Sequence, residues 1–93
     1  MISDETVLHR LSDVRFRAVE DETVVIRQEA AEALVLNEVA GRILELVDGR
    51  STAAEIVGTL LDEYAIDADA LRADVLSYLN ELVETGVLTA PDS

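Results

Sequence analysis

At 93 residues and 49% apolar composition, the chain holds one small domain with one core and lacks the length for two ordinary ones. Twenty Asp and Glu stand against seven Arg with no Lys, and the resulting charge of -13 works against nucleic-acid binding because its field repels a polyanion. The absence of Cys excludes disulfides, thiolate nucleophiles and Cys-based zinc sites.

The start, Met1-Ile2-Ser3-Asp4-Glu5-Thr6, carries acids where a secretory signal carries basic residues. No apolar run approaches the roughly 18 residues of a membrane helix, so a cytoplasmic location and no membrane partner are expected. Val7, Leu8 and Leu11 are spaced too loosely to define an element, and residues 1–12 read as a flexible arm. From Val14 the pattern alternates: Val14, Phe16 and Ala18 point one way and Arg15 and Arg17 the other, the period of a half-buried strand. Glu20-Asp21-Glu22 breaks the run, and the β-branched stretch Thr23-Val24-Val25-Ile26 completes a hairpin. Gln28 to Glu32 contains helix formers but is too short for a stable helix, so it reads as a loop into a third strand over Ala33-Leu34-Val35-Leu36.

Asn37 suits the N-cap of a first helix, whose apolar positions are Val39, Ala40, Ile43, Leu44 and Val47; Asp48-Gly49 ends it. Thr52-Ala53-Ala54-Glu55 is a capping box for a second helix, with Ile56, Val57, Leu60, Leu61 and Tyr64 on its apolar side. The short connection between the two has the character of a helix-turn-helix unit. Asp67 or Asp69 caps a third helix that runs to about Thr85 and stops at Gly86. Its apolar arc centres on Leu71, Val75, Tyr78, Leu79 and Leu82, widens through Leu76 and Val83, and is bordered by Asp74 and Glu81. The arc spans about 160°, more than core packing alone requires, which leaves one flank for another contact. Val87-Leu88 returns to the core. The domain is thus expected over 13–89 and a tail over 90–93.

The residues offer little catalytic chemistry. His9 has no metal-ligand partner at a recognisable spacing, no serine has a base in a nucleophile arrangement, and no glycine-rich loop cradles phosphate, so neither a metal nor any other cofactor is expected. The abundant carboxylates read as a solvated surface. An acyl carrier protein needs a serine in the setting Asp-Ser-Leu at a helix start, and Arg50-Ser51-Thr52 does not supply it.

Leu36-Asn37, Gly41, Ile43-Leu44, Asp48-Gly49-Arg50-Ser51-Thr52, Glu55-Ile56, Leu60, Tyr64, Asp74-Val75, Tyr78-Leu79, Leu82 and Gly86-Val87-Leu88 together resemble the pattern of the PqqD family. Each piece alone is weak; their order and spacing carry the likeness, which spans roughly 14–88. The resemblance implies an α+β fold similar to a winged helix-turn-helix, with an N-terminal three-stranded antiparallel sheet followed by three helices. It also implies a non-enzymatic recognition element that binds the leader of a ribosomally made precursor peptide. The leader adds as a strand to the third strand, in a groove closed by the third helix, and is delivered to a modifying enzyme such as a radical enzyme or a lasso-peptide protease and cyclase.

Carried onto this chain, the implied binding edge is the backbone of Ala33, Leu34, Val35 and Leu36. Leu71, Asp74, Val75 and Tyr78 are the facing residues, with Arg72 and Leu76 on the other flank of the helix. Strand addition takes affinity from main-chain hydrogen bonds and specificity from alternating side-chain pockets, so it needs no catalytic motif. Family members often have a Gly-containing turn between strands two and three, where this chain has Gln28 to Glu32. Two other readings compete: a winged-helix regulator that binds DNA, which fits the element order but not the charge, and a module that dimerises through its open edge.

Overall fold

In the computed structural model, which describes residues 2–91, the elements follow in the order β1 (His9–Arg10), β2 (Val14–Val19), β3 (Glu22–Arg27), β4 (Glu32–Leu36), α1 (Glu38–Leu46), α2 (Ala53–Glu63), α3 (Ala68–Glu84) and β5 (Leu88–Thr89). The alternating run and the β-branched run fold back on each other through Glu20-Asp21 as an antiparallel hairpin, with Val19 opposite Glu22 and Val14 opposite Arg27. Glu20 turns the chain at φ 56°. β4 pairs with β3 from Thr23↔Leu36 to Arg27↔Glu32, and the sheet order is β2-β3-β4, which makes β2 and β4 its edges. The Gln28 to Ala31 connection is a loop, as its length requires, and Ala31 takes the left-handed conformation (φ 54°) in place of a glycine.

Cross-strand partners share a sheet face, and one face is buried. Val14, Thr23 and Val25 are 7%, 5% and 0% exposed, and Leu34 and Leu36 are half-buried against the same core. α1 packs directly on this face, and α2 and α3 complete the same core. α1 starts where Asn37 Oδ1 accepts the Ala40 N–H (2.9 Å), and buries Ala40, Gly41, Ile43 and Leu44. It ends at Leu46, a little earlier than its apolar pattern suggests. Asp48 then builds the turn, its Oδ1 accepting the N–H groups of Arg50 (2.8 Å) and Ser51 (2.7 Å), while Gly49 adopts φ 78°. These amide bonds hold the Asp48 carboxyl below the usual carboxylate range, that of Ser51 first. The capping box forms as expected: Thr52 Oγ1 accepts from the Glu55 N–H and Glu55 Oε1 from the Thr52 N–H. Asp67 caps α3 through Ala70, and Gly86 (φ 83°) follows its end. Val87 and Leu88, 0% and 2% exposed, return to the core.

The expectation of a flexible arm over 1–12 is corrected. Leu8 is fully buried, and Ile2 and Thr6 are each 7% exposed. β1 pairs with β5, His9 opposite Thr89 and Arg10 opposite Leu88. The carbonyls of Thr6 and Asp4 accept the N–H groups of Ala53 and Ala54, both at 2.9 Å. These are first-turn amides of α2, which no helix can satisfy from within. The segment is ordered by these long-range bonds, which leave no local periodicity to read. Met1 of that arm, and Asp92 and Ser93 of the expected tail, lie outside the described residues; Ala90 packs half-buried on the core. No helix among the described residues is long and apolar enough to cross a membrane.

Candidate functional site

The register decides which backbone groups of β4 are free. Val19 and Glu22 close a two-residue loop, a geometry in which the closing residues bond each other's backbone. Gln28, of the same parity as Glu22, donates its N–H to the Asp13 carbonyl at 3.1 Å, on the β2 side. Thr23, Val25 and Arg27 therefore bond β4 through Leu36, Leu34 and Glu32, and Ala33 and Val35 direct N–H and C=O away from the sheet. The side chains of Leu34 and Leu36 face the helices, while Ala33 and Val35, the latter 62% exposed, project from the other face.

Two contacts fix α3 relative to this edge. Asn37 Nδ2, just past the C-terminal end of β4, donates to Tyr78 Oη at 2.9 Å. At the other end Arg27, paired in register and by an ion pair with Glu32, lies against Gly86: a Cβ there would sit 2.7 Å from an Arg27 Nη. From Tyr78 to Gly86 a helix advances about 12 Å, and from Glu32 to Leu36 a strand advances about 13 Å. Two side-chain contacts thus tie the Tyr78 and Gly86 ends of this stretch to the two ends of β4, in opposite senses. Within the Arg27 guanidinium, Nε is buried without a hydrogen-bond partner.

This geometry sorts the residues singled out by the sequence. Ala33, Leu34, Val35 and Leu36 lie along one edge strand, and Tyr78 meets Asn37 just past its C-terminal end. Leu71 and Val75, 1% and 0% exposed, are core residues and present no surface to a groove. Asp74 is exposed one turn before Tyr78, at the Asn37 end. Arg72 is turned to the opposite flank, where its Nε and Nη2 donate to the Asp4 carboxylate at 2.9 and 2.7 Å. That hydrogen-bonded pair lowers the Asp4 pKa and raises that of Arg72. Leu76 is half-buried on the Arg72 side. Asn37 was not among the residues singled out for the edge: it was legible as a cap, but its second contact, with Tyr78, spans 41 residues.

A separate depression lies between the β2–β3 turn and the ends of α1 and α2, lined by Glu20, Glu22, Glu38, Glu45, Glu63 and Arg42 among others. Arg42 there pairs with Glu63 at 2.6 Å, which raises the Arg42 pKa and lowers that of Glu63. Burial, then the neighbouring Glu38, pushes the Tyr64 phenol up. Among the described residues no group of three His, Cys, Asp or Glu is placed to hold a metal ion. His9 sits in β1 with its Nδ1 against Gly49.

A three-stranded antiparallel sheet whose buried face shares one core with three helices, with an unpaired edge strand, defines a class of small α+β domain. The family model described as coenzyme PQQ synthesis protein D (PqqD) matches residues 22–88, and the chain belongs to the PqqD family. The PqqA binding protein of Gluconobacter oxydans (strain 621H) is 34% identical over 93 residues, covering 95% of this chain and 92% of that one. The solution structure of the PqqD truncation of Methylobacterium extorquens PqqCD, described as a functional and stand-alone recognition element for ribosomally synthesised and post-translationally modified peptides, superposes with a TM-score of 0.80. It is 31% identical, and the match covers 96% of this chain and 95% of that one. TbiB1 in complex with the TbiA(beta) leader peptide shares the fold at a TM-score of 0.76 and 24% identity, over 85% of this chain and 92% of that one.

Proposed function

We propose that this chain is a non-catalytic adaptor: it binds the leader segment of a ribosomally synthesised precursor peptide as a strand added to β4 and presents it to a peptide-modifying enzyme. The observation that carries the reading is the free edge of β4, where Ala33 and Val35 offer donors and acceptors to an extended chain beside α3. Leu34 and Leu36 supply an apolar floor for alternate leader side chains, Tyr78 and Glu81 a wall, and Asp74 a carboxylate for a basic or amide group at the Asn37 end. The relative named for PqqA binding and the recognition element of the PqqD truncation support the same reading. The DNA-binding alternative has little to stand on, because α3 exposes Asp69, Asp74, Glu81 and Glu84 while its Arg72 is tied to Asp4.

The test uses a synthetic PqqA peptide, the partner for which the relative from Gluconobacter oxydans is named. Binding is expected at micromolar affinity or better, with amide shifts concentrated over 32–36 and 78–85. Val35→Pro removes an outward N–H and no ladder bond, so the melting temperature stays close to that of the parent while leader affinity falls about tenfold or more. Leu34→Pro removes a bond to β3 instead and unfolds the sheet edge. Unchanged leader affinity in a folded Val35→Pro chain would eliminate strand addition at this edge.

A further inference from the structure

The sheet has a second face, and among the described residues no helix or strand packs on it. A sheet with one solvated face ordinarily makes that face polar. Here it carries Val19, Ile26 and Val35 at 48%, 40% and 62% exposure, with half-buried Val24 between them. The register arranges these side chains in rows: Arg15, Ile26 and Ala33 in one, Arg17, Val24 and Val35 in the next. Each row runs from an exposed guanidinium on β2 across aliphatic side chains to β4, and Arg15, Arg17, Val19, Val24 and Ile26 line a shallow depression.

Four arginines have no carboxylate partner among the described residues: Arg10, which lies over the Phe16 ring, Arg50, and on this face Arg15 and Arg17. Arg27, Arg42 and Arg72 are each neutralised by a carboxylate. Arg15 donates only to the main-chain carbonyls of Ser12 and Val14, and Arg17 makes no hydrogen bond or ion pair among the described residues. Glu22, opposite Val19, is the acid of this face. A chain of charge -13 thus places two uncompensated cations beside an exposed aliphatic patch. A second copy is a poor occupant, since two such chains repel and a two-fold contact brings like guanidinium groups together. Charge complementarity asks for a different protein whose apolar patch is bordered by carboxylates.

We infer that this outer sheet face is the docking surface for the peptide-modifying enzyme, through an apolar patch on that enzyme rimmed by Asp and Glu. The choice of enzyme as partner rests on the leader-binding reading; the chemistry of the surface does not. Val35 joins the two sites, for its backbone faces the β4 edge while its side chain faces the docking surface. A leader added to β4 extends the outer face by one strand, so its outward side chains reach the docked enzyme while its inward ones stay in the groove.

The experiment follows isotope-labelled chain by NMR as it is titrated with the purified enzyme that modifies the precursor peptide, with and without the synthetic leader peptide. Signals of Arg15, Arg17, Val24 and Ile26 are expected to broaden before those of α2, and affinity to fall as salt rises. The exposed pair Arg15→Glu and Arg17→Glu weakens enzyme binding at least about tenfold. Arg15→Gln with Arg17→Gln has a smaller effect, and both variants keep the parent's leader affinity and melting temperature. No binding of the enzyme, broadening confined to another face, or full affinity in the double Glu variant overturns the assignment, as does self-association or DNA binding through this face. Leader affinity is measured separately, so a chain that binds enzyme but no leader refutes the adaptor reading and leaves the docking surface standing.

Discussion

Gly41 sets how closely α1 lies on the sheet. A Cβ at this position would stand 2.2 Å from Thr23 Oγ1 and 2.8 Å from Thr23 Cβ, and Thr23 is itself buried on β3. The helix has no strained backbone here, so the glycine is required by proximity and not by φ. Gly41→Ala forces α1 and β3 apart and is expected to cost about 1–3 kcal/mol in chemical denaturation, an overpacking effect that outweighs the gain of about 1 kcal/mol in helix propensity. Thr23→Ala in the same chain opens the space and should recover part of the loss; equal losses in the single and double variants would mean the contact is not the cause. The spacing matters for function because α1 follows β4 directly through Asn37, whose side chain caps the helix with Oδ1 and reaches Tyr78 with Nδ2. One amide thus positions the start of α1 and one end of the groove.

At the scale of elements, the N-terminal segment completes α2. Ala53 and Ala54 give their N–H groups to the carbonyls of Thr6 and Asp4, and Glu55 gives its own to Thr52 Oγ1. Leu8, with no exposed surface, anchors the segment beneath this junction. Leu8→Ala is expected to cost about 2–5 kcal/mol, a large share of the roughly 5–10 kcal/mol that holds a domain of this size. Removal of residues 1–8 should be worse, because it also leaves the α2 amides without partners. A truncated chain with the parent melting temperature would show that the segment contributes nothing. The same element explains what the sequence showed and what it withheld. Caps at Asn37, Thr52 and Asp67 and turns at Gly49 and Gly86 are local chemistry, and the structure has each where its residue type requires it. β1 and β5 are two residues long and exist only through each other, so neither carries a period. The edge strand was legible from Ala33 to Leu36, and the width of the α3 arc showed that one flank was spare. Which flank faced the edge was not legible, because Asn37–Tyr78 and Asp4–Arg72 join residues 41 and 68 positions apart.

For the whole molecule, charge governs the dependence on pH and salt. At neutral pH the twenty acids and seven arginines leave -13, a self-repulsion that added salt screens, so the melting temperature at pH 7 should rise between low and moderate ionic strength. The exposed ion pairs oppose this trend only weakly, since each is itself worth little. Acid acts differently. Asp4, Asp48 and Glu63 are held below the usual carboxylate range, by Arg72, by the Ser51 and Arg50 amides and by Arg42 respectively. A carboxylate whose folded pKa lies below its unfolded value binds fewer protons in the native state, so its stabilisation is complete above the unfolded value and lost as pH falls through the folded one. Their contribution is therefore constant from pH 7 down to the ordinary carboxylate range and disappears below it. Arg72→Gln removes the principal cause of the Asp4 shift, so the loss of stability on acidification below that range should be shallower in the variant than in the parent. Denaturation followed at a series of pH values reads this directly: parallel curves for parent and variant would show that the Asp4–Arg72 contact does not hold the N-terminal segment on α3.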